Sequence, residues 1–175
     1  IEDGHEPSDS EPALSMRVVK LGEDMLQFGE EPRGVLLLDE KGEEIKAGDH
    51  DRRVFEASWV HKYQGKYYFS YSTGDTQKIC YGIGDSPYGP FTYQGVILTP
   101  VEGWTTHHSI AEFKGKWYLF YHDCVPSGGR TSLRSMKVAE LEYREDGTIC
   151  TLEGGGKMEP LKEHDSADCK NEIVA

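Results

Sequence analysis

The chain has 175 residues, room for one domain with a sizeable core. Its net charge of −12 at pH 7 argues against nucleic acid, whose phosphates need a basic surface, and against docking on an anionic membrane. A neutral ligand such as a sugar polymer is compatible with that charge, and no apolar run is long enough to span a bilayer.

The 20 glycines, 10 tyrosines, 6 phenylalanines and 3 tryptophans suit an all-β protein, with aromatics on pleated surfaces and glycines in turns. Cys80, Cys124, Cys150 and Cys169 show neither zinc-ligand spacing nor a dense disulfide framework, and read as free thiols. Residues 1–13 are acidic and lack the charged-then-apolar pattern of a signal segment. They read as a polar arm, or as the point where a longer chain was cut.

Beyond the arm the chain repeats itself. Ser15-Met16-Arg17-Val18-Val19-Lys20-Leu21 matches Ser135-Met136-Lys137-Val138-Ala139-Glu140-Leu141, and an acidic turn and a short strand follow each copy. The first copy predicts half a unit, from Met16 to about Phe28. Residues 32–51, with Val35-Leu36-Leu37-Leu38, read as a strand and an acidic loop between units. Gly65-Lys66-Tyr67-Tyr68-Phe69-Ser70-Tyr71 then recurs as Gly115-Lys116-Trp117-Tyr118-Leu119-Phe120-Tyr121. Each copy follows an alternating strand across a Gln-Gly or Lys-Gly turn, in which glycine supplies the positive φ that a tight hairpin needs. Ile79–Gly84 and Phe91–Leu98, joined by Asp85-Ser86-Pro87-Tyr88-Gly89-Pro90, complete the first whole unit. Whole units therefore span about 56–98 and 107–152. Four-stranded antiparallel units at a period of about fifty residues are the sequence pattern of propeller blades. A β-sandwich is the competing architecture, and the matched inner hairpins favour the propeller. Residues 14–152 are expected to form about two and a half blades, with 153–175 a loosely packed or strand-donating tail.

Arg53-Val54-Phe55-Glu56-Ala57-Ser58-Trp59, ahead of the Gly65 hairpin, resembles the general-acid segment of glycoside hydrolase family 43. Gly103-Trp104-Thr105-Thr106-His107-His108-Ser109, ahead of the Gly115 hairpin, resembles the inner strand of that family's next blade, and Gly84 to Phe91 resembles its Gly-Pro-aromatic turn. The resemblance covers about 14–150. It implies a partial five-bladed β-propeller, its C-terminal half, with Glu56 opening an innermost strand as general acid. It also implies a histidine near a metal on the propeller axis, two residues before a serine. His107 and His108 point to opposite faces of a strand. The resemblance nominates His107, as ligand to calcium or another hard cation whose remaining ligands are mostly waters. A hydrogen-bonded core histidine is the alternative. The family's two aspartates, the general base and the residue that tunes the acid, have no aligned counterpart here.

Phe55 and Trp59 flank Glu56 as an apolar wall, and burial of that kind raises a carboxyl pKa as a general acid requires. The resemblance places Arg134 on the inner strand of the last blade, reaching into the sugar site; a surface arginine paired with a carboxylate is an equal alternative. Trp59 and Trp104 are candidate sugar-stacking platforms, although propeller aromatics more often belong to the core. His122 and Asp123 lie at the same end of the blade and receive no role. The implied activity is a glycoside hydrolase acting on xylan, arabinoxylan or xylo-oligosaccharides (xylanase, β-xylosidase or α-arabinofuranosidase). Its partner would be a plant cell-wall polysaccharide or oligosaccharide. A non-catalytic carbohydrate-binding half-propeller is the alternative. Two and a half blades cannot close a ring, which predicts either a longer polypeptide or a homodimer that completes the propeller and brings two Glu56 side chains into one funnel.

Overall fold

A computed structural model describes residues 7–104 and 106–155. All its regular elements are strands, apart from two single 3₁₀ turns at Gly74–Thr76 and Val125–Ser127. Four strands make the first whole unit: β4 (Glu56–Tyr63), β5 (Lys66–Ser72), β6 (Ile79–Gly84) and β7 (Phe91–Leu98), paired antiparallel in that order. The second contains β8 (His108–Phe113), β9 (Lys116–Asp123) and β10 (Ser135–Leu141). Its outermost member is only a bridge, Tyr143 opposite Ile149. The half unit is a small hairpin of β1 (Arg17–Val18) and β2 (Arg33–Gly34), with a further bridge from Leu21 to Phe28.

The two inner hairpins turn as the glycines predict. Gln64 and Gly65 have φ of 44° and 84°, and Lys114 and Gly115 have 53° and 77°. Two successive left-handed residues match the twist of the strands they join. The register runs from Phe113 opposite Lys116 to His108 opposite Tyr121.

Two pairings were not expected. β3 (Leu37–Leu38) adds in parallel to the outer edge of β7, so the first unit is five strands wide. The arm is tied down from Asp9 onward: Ala13 N–H donates to Ile45 C=O at 2.9 Å and Gly48 N–H to Asp9 C=O at 3.0 Å. The proposed tail falls outside the described residues from 156 on. Cys80 and Cys124 are buried free thiols, whereas Cys150 is disulfide-bonded, against the expectation of free thiols throughout.

The first sheet is covered on both faces, which explains why β5 is nearly all apolar or small. Tyr68, Ile79, Tyr81 and Ile97 face the second sheet and pack on Ile110, Leu119, Leu141 and Ile149. Phe69, Tyr71, Cys80 and Phe91 face the other way, onto Val35, Leu37, Ile45 and Val54. This alternation is the two-residue period of a strand.

Side-chain hydrogen bonds stitch the two sheets together. Trp59 Nε1–H donates to Ile110 C=O at 3.0 Å, His61 Nε2 lies 2.7 Å from the Tyr143 hydroxyl, and Tyr68 O–H donates to Gly147 C=O at 2.7 Å. Trp59→Phe keeps the apolar contact and removes one of these bonds. We expect it to cost about 1 kcal/mol, read from the urea midpoint.

Candidate active site

Antiparallel order brings the start of β4, the end of β5, the start of β8 and the end of β9 to one end of the molecule. The chemistry-bearing residues collect there. Glu56 opens β4 opposite Ser72, and the ladder resumes only at Trp59 opposite Ser70. The bulge between them is built on Ala57, whose φ of 58° is left-handed. A bulge re-aims the side chain beside it, and a left-handed non-glycine residue is a strained choice that marks a constrained site. The Glu56 side chain is 33% exposed, and its Oε1 lies 3.5 Å from His107 Nε2.

The segment leading to Glu56 is anchored by groups that the sequence did not single out. Arg53 donates to Ala47 C=O at 3.2 Å and approaches Asp75 at 3.7 Å, while His50 pairs with Asp75. Phe55 is 54% exposed, and its ring lies against Gly74 in the turn after β5. A Cβ on Gly74 would meet Phe55 Cγ at 2.5 Å, and the φ of Gly74 is +76°. Gly74→Ala is therefore expected to destabilise the fold by about 1–2 kcal/mol and to displace Phe55 from the approach to Glu56, seen as a lower melting temperature.

On β8, His108 is the histidine that turns inward. Its Nε2 lies 2.6 Å from Ser70 Oγ, and its Nδ1 is enclosed without a partner among the described residues. Burial pushes its pKa down to about 3, with the neighbouring histidines adding to the effect. Burial likewise pushes His61 down to about 4, so both side chains are neutral in the folded protein near pH 7. His107 points out toward Glu56 and is 53% exposed, which separates the two histidines as strand alternation predicts.

The remaining candidates divide. Trp59 is committed to bridging the two sheets through its indole N–H, although part of its ring reaches solvent. Trp104 is 61% exposed at the same end, and its backbone N–H donates to Thr131 Oγ1 at 2.6 Å. Arg134 does not lie on an inner strand. It immediately precedes β10, third from the inside of its sheet, where its Nε–H donates to Thr131 C=O at 3.1 Å. It nevertheless lines one shallow depression with His107, His108, His122 and Met136. His122, which the sequence reading leaves without a role, lines the same depression. Burial holds its pKa below the usual histidine value, and the Arg134 and His107 charges act in the same direction.

The family model for glycosyl hydrolases family 43 matches residues 7–149. The chain belongs to that family. It is 68% identical over 148 residues to a xylosidase/arabinosidase of Bacteroides ovatus, covering 85% of this chain and 46% of that protein. The solved structure of RS223 β-xylosidase superposes with a TM-score of 0.85 at 68% identity, over 88% of this chain and 48% of that one. A β-xylosidase/α-arabinofuranosidase from a compost metagenome, solved with xylotriose in a calcium-free form, matches at a TM-score of 0.83. It is 56% identical, over 88% of this chain and 48% of that one. The chain thus spans about half the length of the relatives it matches. These overlaps lend no support to the expectation that it is the family fold's C-terminal half. Closure of the ring by a second copy finds no support in the fold or in these relatives either.

As for a metal, no group of three His, Cys, Asp or Glu side chains among the described residues could hold an ion. His107 is the outward-facing donor, beside one carboxylate. Calcium takes six to eight oxygens. The described residues therefore form no all-protein cage for such an ion.

Proposed function

We propose that the chain forms part of the catalytic propeller of a family 43 glycosidase acting on xylo-oligosaccharides or arabinoxylan, with Glu56 as general acid. The observation that carries this reading is the placement of Glu56: re-aimed by a bulge on a left-handed alanine, two-thirds buried, and 3.5 Å from His107. Relatives named for xylosidase and arabinosidase activity, and one solved with xylotriose, supply the substrate class.

In this role the Glu56 carboxyl gives its proton to the glycosidic oxygen as the bond to the anomeric carbon breaks. Water adds at that carbon, and a second carboxylate takes the water's proton. Among the described residues the ion-pair partner of Glu56 is His107, so we assign that base to a part of the propeller beyond them. Leu14, Met16 and Val54 line an open groove of about 410 Å³, an apolar flank on which a further blade would pack. His107, together with waters, is the proposed contact to a hard cation. Phe55, Trp104 and Arg134 are the proposed sugar contacts.

The second reading is a carbohydrate-binding half-propeller. It is favoured by the want of a carboxylate partner for Glu56 among the described residues. Hydrolysis of aryl β-xyloside and aryl α-arabinofuranoside separates the two. Turnover that Glu56→Gln removes supports the enzyme. Xylotriose binding without turnover in either protein supports the binding module.

A further inference from the structure

Beyond the last ladder pair of β8 and β9, His108 opposite Tyr121, the register brings His107 opposite His122. There the backbone ladder gives way to side chains. The His107 backbone N–H donates to His122 Nε2 at 3.0 Å. Thr106, fully buried, donates from Oγ1 to His122 C=O at 2.9 Å, and the same oxygen lies 3.3 Å from the His122 N–H. The two histidine rings sit 6.1 Å apart.

An Nε2 that accepts a hydrogen bond leaves the imidazole proton on Nδ1. That Nδ1 is enclosed and has no partner among the described residues. A buried donor without an acceptor opposes folding. The arrangement therefore serves stability poorly, and its one specific product is a fixed His107 backbone. From that backbone the His107 ring reaches to 3.5 Å from Glu56 Oε1.

We propose that His122 is a positioning residue, whose Nε2 lone pair holds the His107 backbone so that the His107 side chain meets Glu56. The inference rests on Glu56 being the acid and deepens that reading. At this point the hydrogen bonds of His122 run to His107 and Thr106, not to the acid. Its effect passes through His107, and its essential property is an acceptor at the Nε2 position.

Two replacements separate that property from bulk. In His122→Gln the side-chain oxygen can reach the Nε2 position, whereas His122→Leu fills similar space without an acceptor. Amide hydrogen exchange at His107 is the primary measurement, because it needs no turnover. His122→Leu is expected to speed exchange at His107 at least about tenfold, and His122→Gln to recover most of the protection. Where the protein hydrolyses substrate, His122→Leu should lower kcat about tenfold with little change in KM. The loss should be larger on xylobiose than on 2,4-dinitrophenyl β-xyloside, because it acts through the acid. Unchanged exchange at His107 in His122→Leu overturns the proposal, and so does a glutamine variant as impaired as the leucine one. Failure of the underlying reading shows separately, as Glu56→Gln with wild-type turnover.

Discussion

Glu56→Gln is expected to lower kcat on xylobiose by about 10²–10⁴-fold while sparing most of the activity on 2,4-dinitrophenyl β-xyloside. The contrast follows from the proton. A sugar alkoxide is a poor leaving group and must be protonated as it departs, whereas dinitrophenolate leaves unaided. Glutamine keeps the shape and the hydrogen-bonding edge of the side chain, so the bulge at Ala57 and the approach of His107 should persist. Steady-state kinetics across a series of aryl xylosides would show the variant's rate falling steeply as the leaving group's pKa rises. Equal losses on every substrate would assign Glu56 to binding or to the fold. With leaving-group dependence absent, the acid would have to be sought elsewhere on the same rim.

The second large effect is on stability in acid. His61 and His108 are neutral in the folded protein, with pKa values pushed down by burial to about 4 and about 3. In the unfolded chain each returns to about 6.5. Above that pH neither state binds the proton, and the two groups leave stability unchanged. Below it the unfolded chain takes up two protons that the folded protein refuses. Stability should therefore fall from about pH 6.5 downward, with a slope approaching ~3 kcal/mol per pH unit near pH 5, and level off once the folded pKa values are passed. Denaturant midpoints at pH 7.5, 6, 5 and 4 would measure it. His61→Gln and His108→Gln should each remove about half of the slope while lowering stability at pH 7.5, since each gives up a well-formed contact to Tyr143 or Ser70. A midpoint constant between pH 7 and 5 would show that these rings take up protons in the folded state.

Much of this architecture was legible because it is local. Gly65 and Gly115 fix two tight turns, and the apolar alternation on either side then sets strand length and register. Ile79–Gly84 and Phe91–Leu98 form as strands within the limits the residues suggest. What escaped was non-local. Nothing in Leu37-Leu38 announces a parallel partner at Phe91-Thr92, because a short apolar pair fits many burial sites. The outermost strand of the second unit contracts to the Tyr143–Ile149 bridge, since that hairpin spends its polar groups on Tyr68 and Tyr81 of the neighbouring sheet.

At the site, the motif singled out Glu56 and His107, and the structure brings them together. Arg134 was placed on the wrong strand, because the loop 124–134 intervenes between its repeat and the inner hairpin. His122 went unassigned although the signal was present. Once the turn at Lys114-Gly115 is accepted, counting back along both strands sets residue 122 opposite residue 107. The apolar alternation ends short of that pair, so hydrophobic patterning alone does not reach it. The chemistry of Trp59 suggests a stacking platform, whereas the acceptor of its indole N–H, Ile110, belongs to another sheet.

The parallel attachment of β3 also bears on the order in which the molecule is assembled. The hairpins β4–β5 and β6–β7 join neighbours in the chain and can close as soon as both strands exist, whereas β3 must wait about fifty residues for its partner. During synthesis Leu37 and Leu38 leave the ribosome well ahead of Phe91 and Thr92, so their strand pairing is the late step. The outer margin of the first sheet thus closes only after its inner strands are in place.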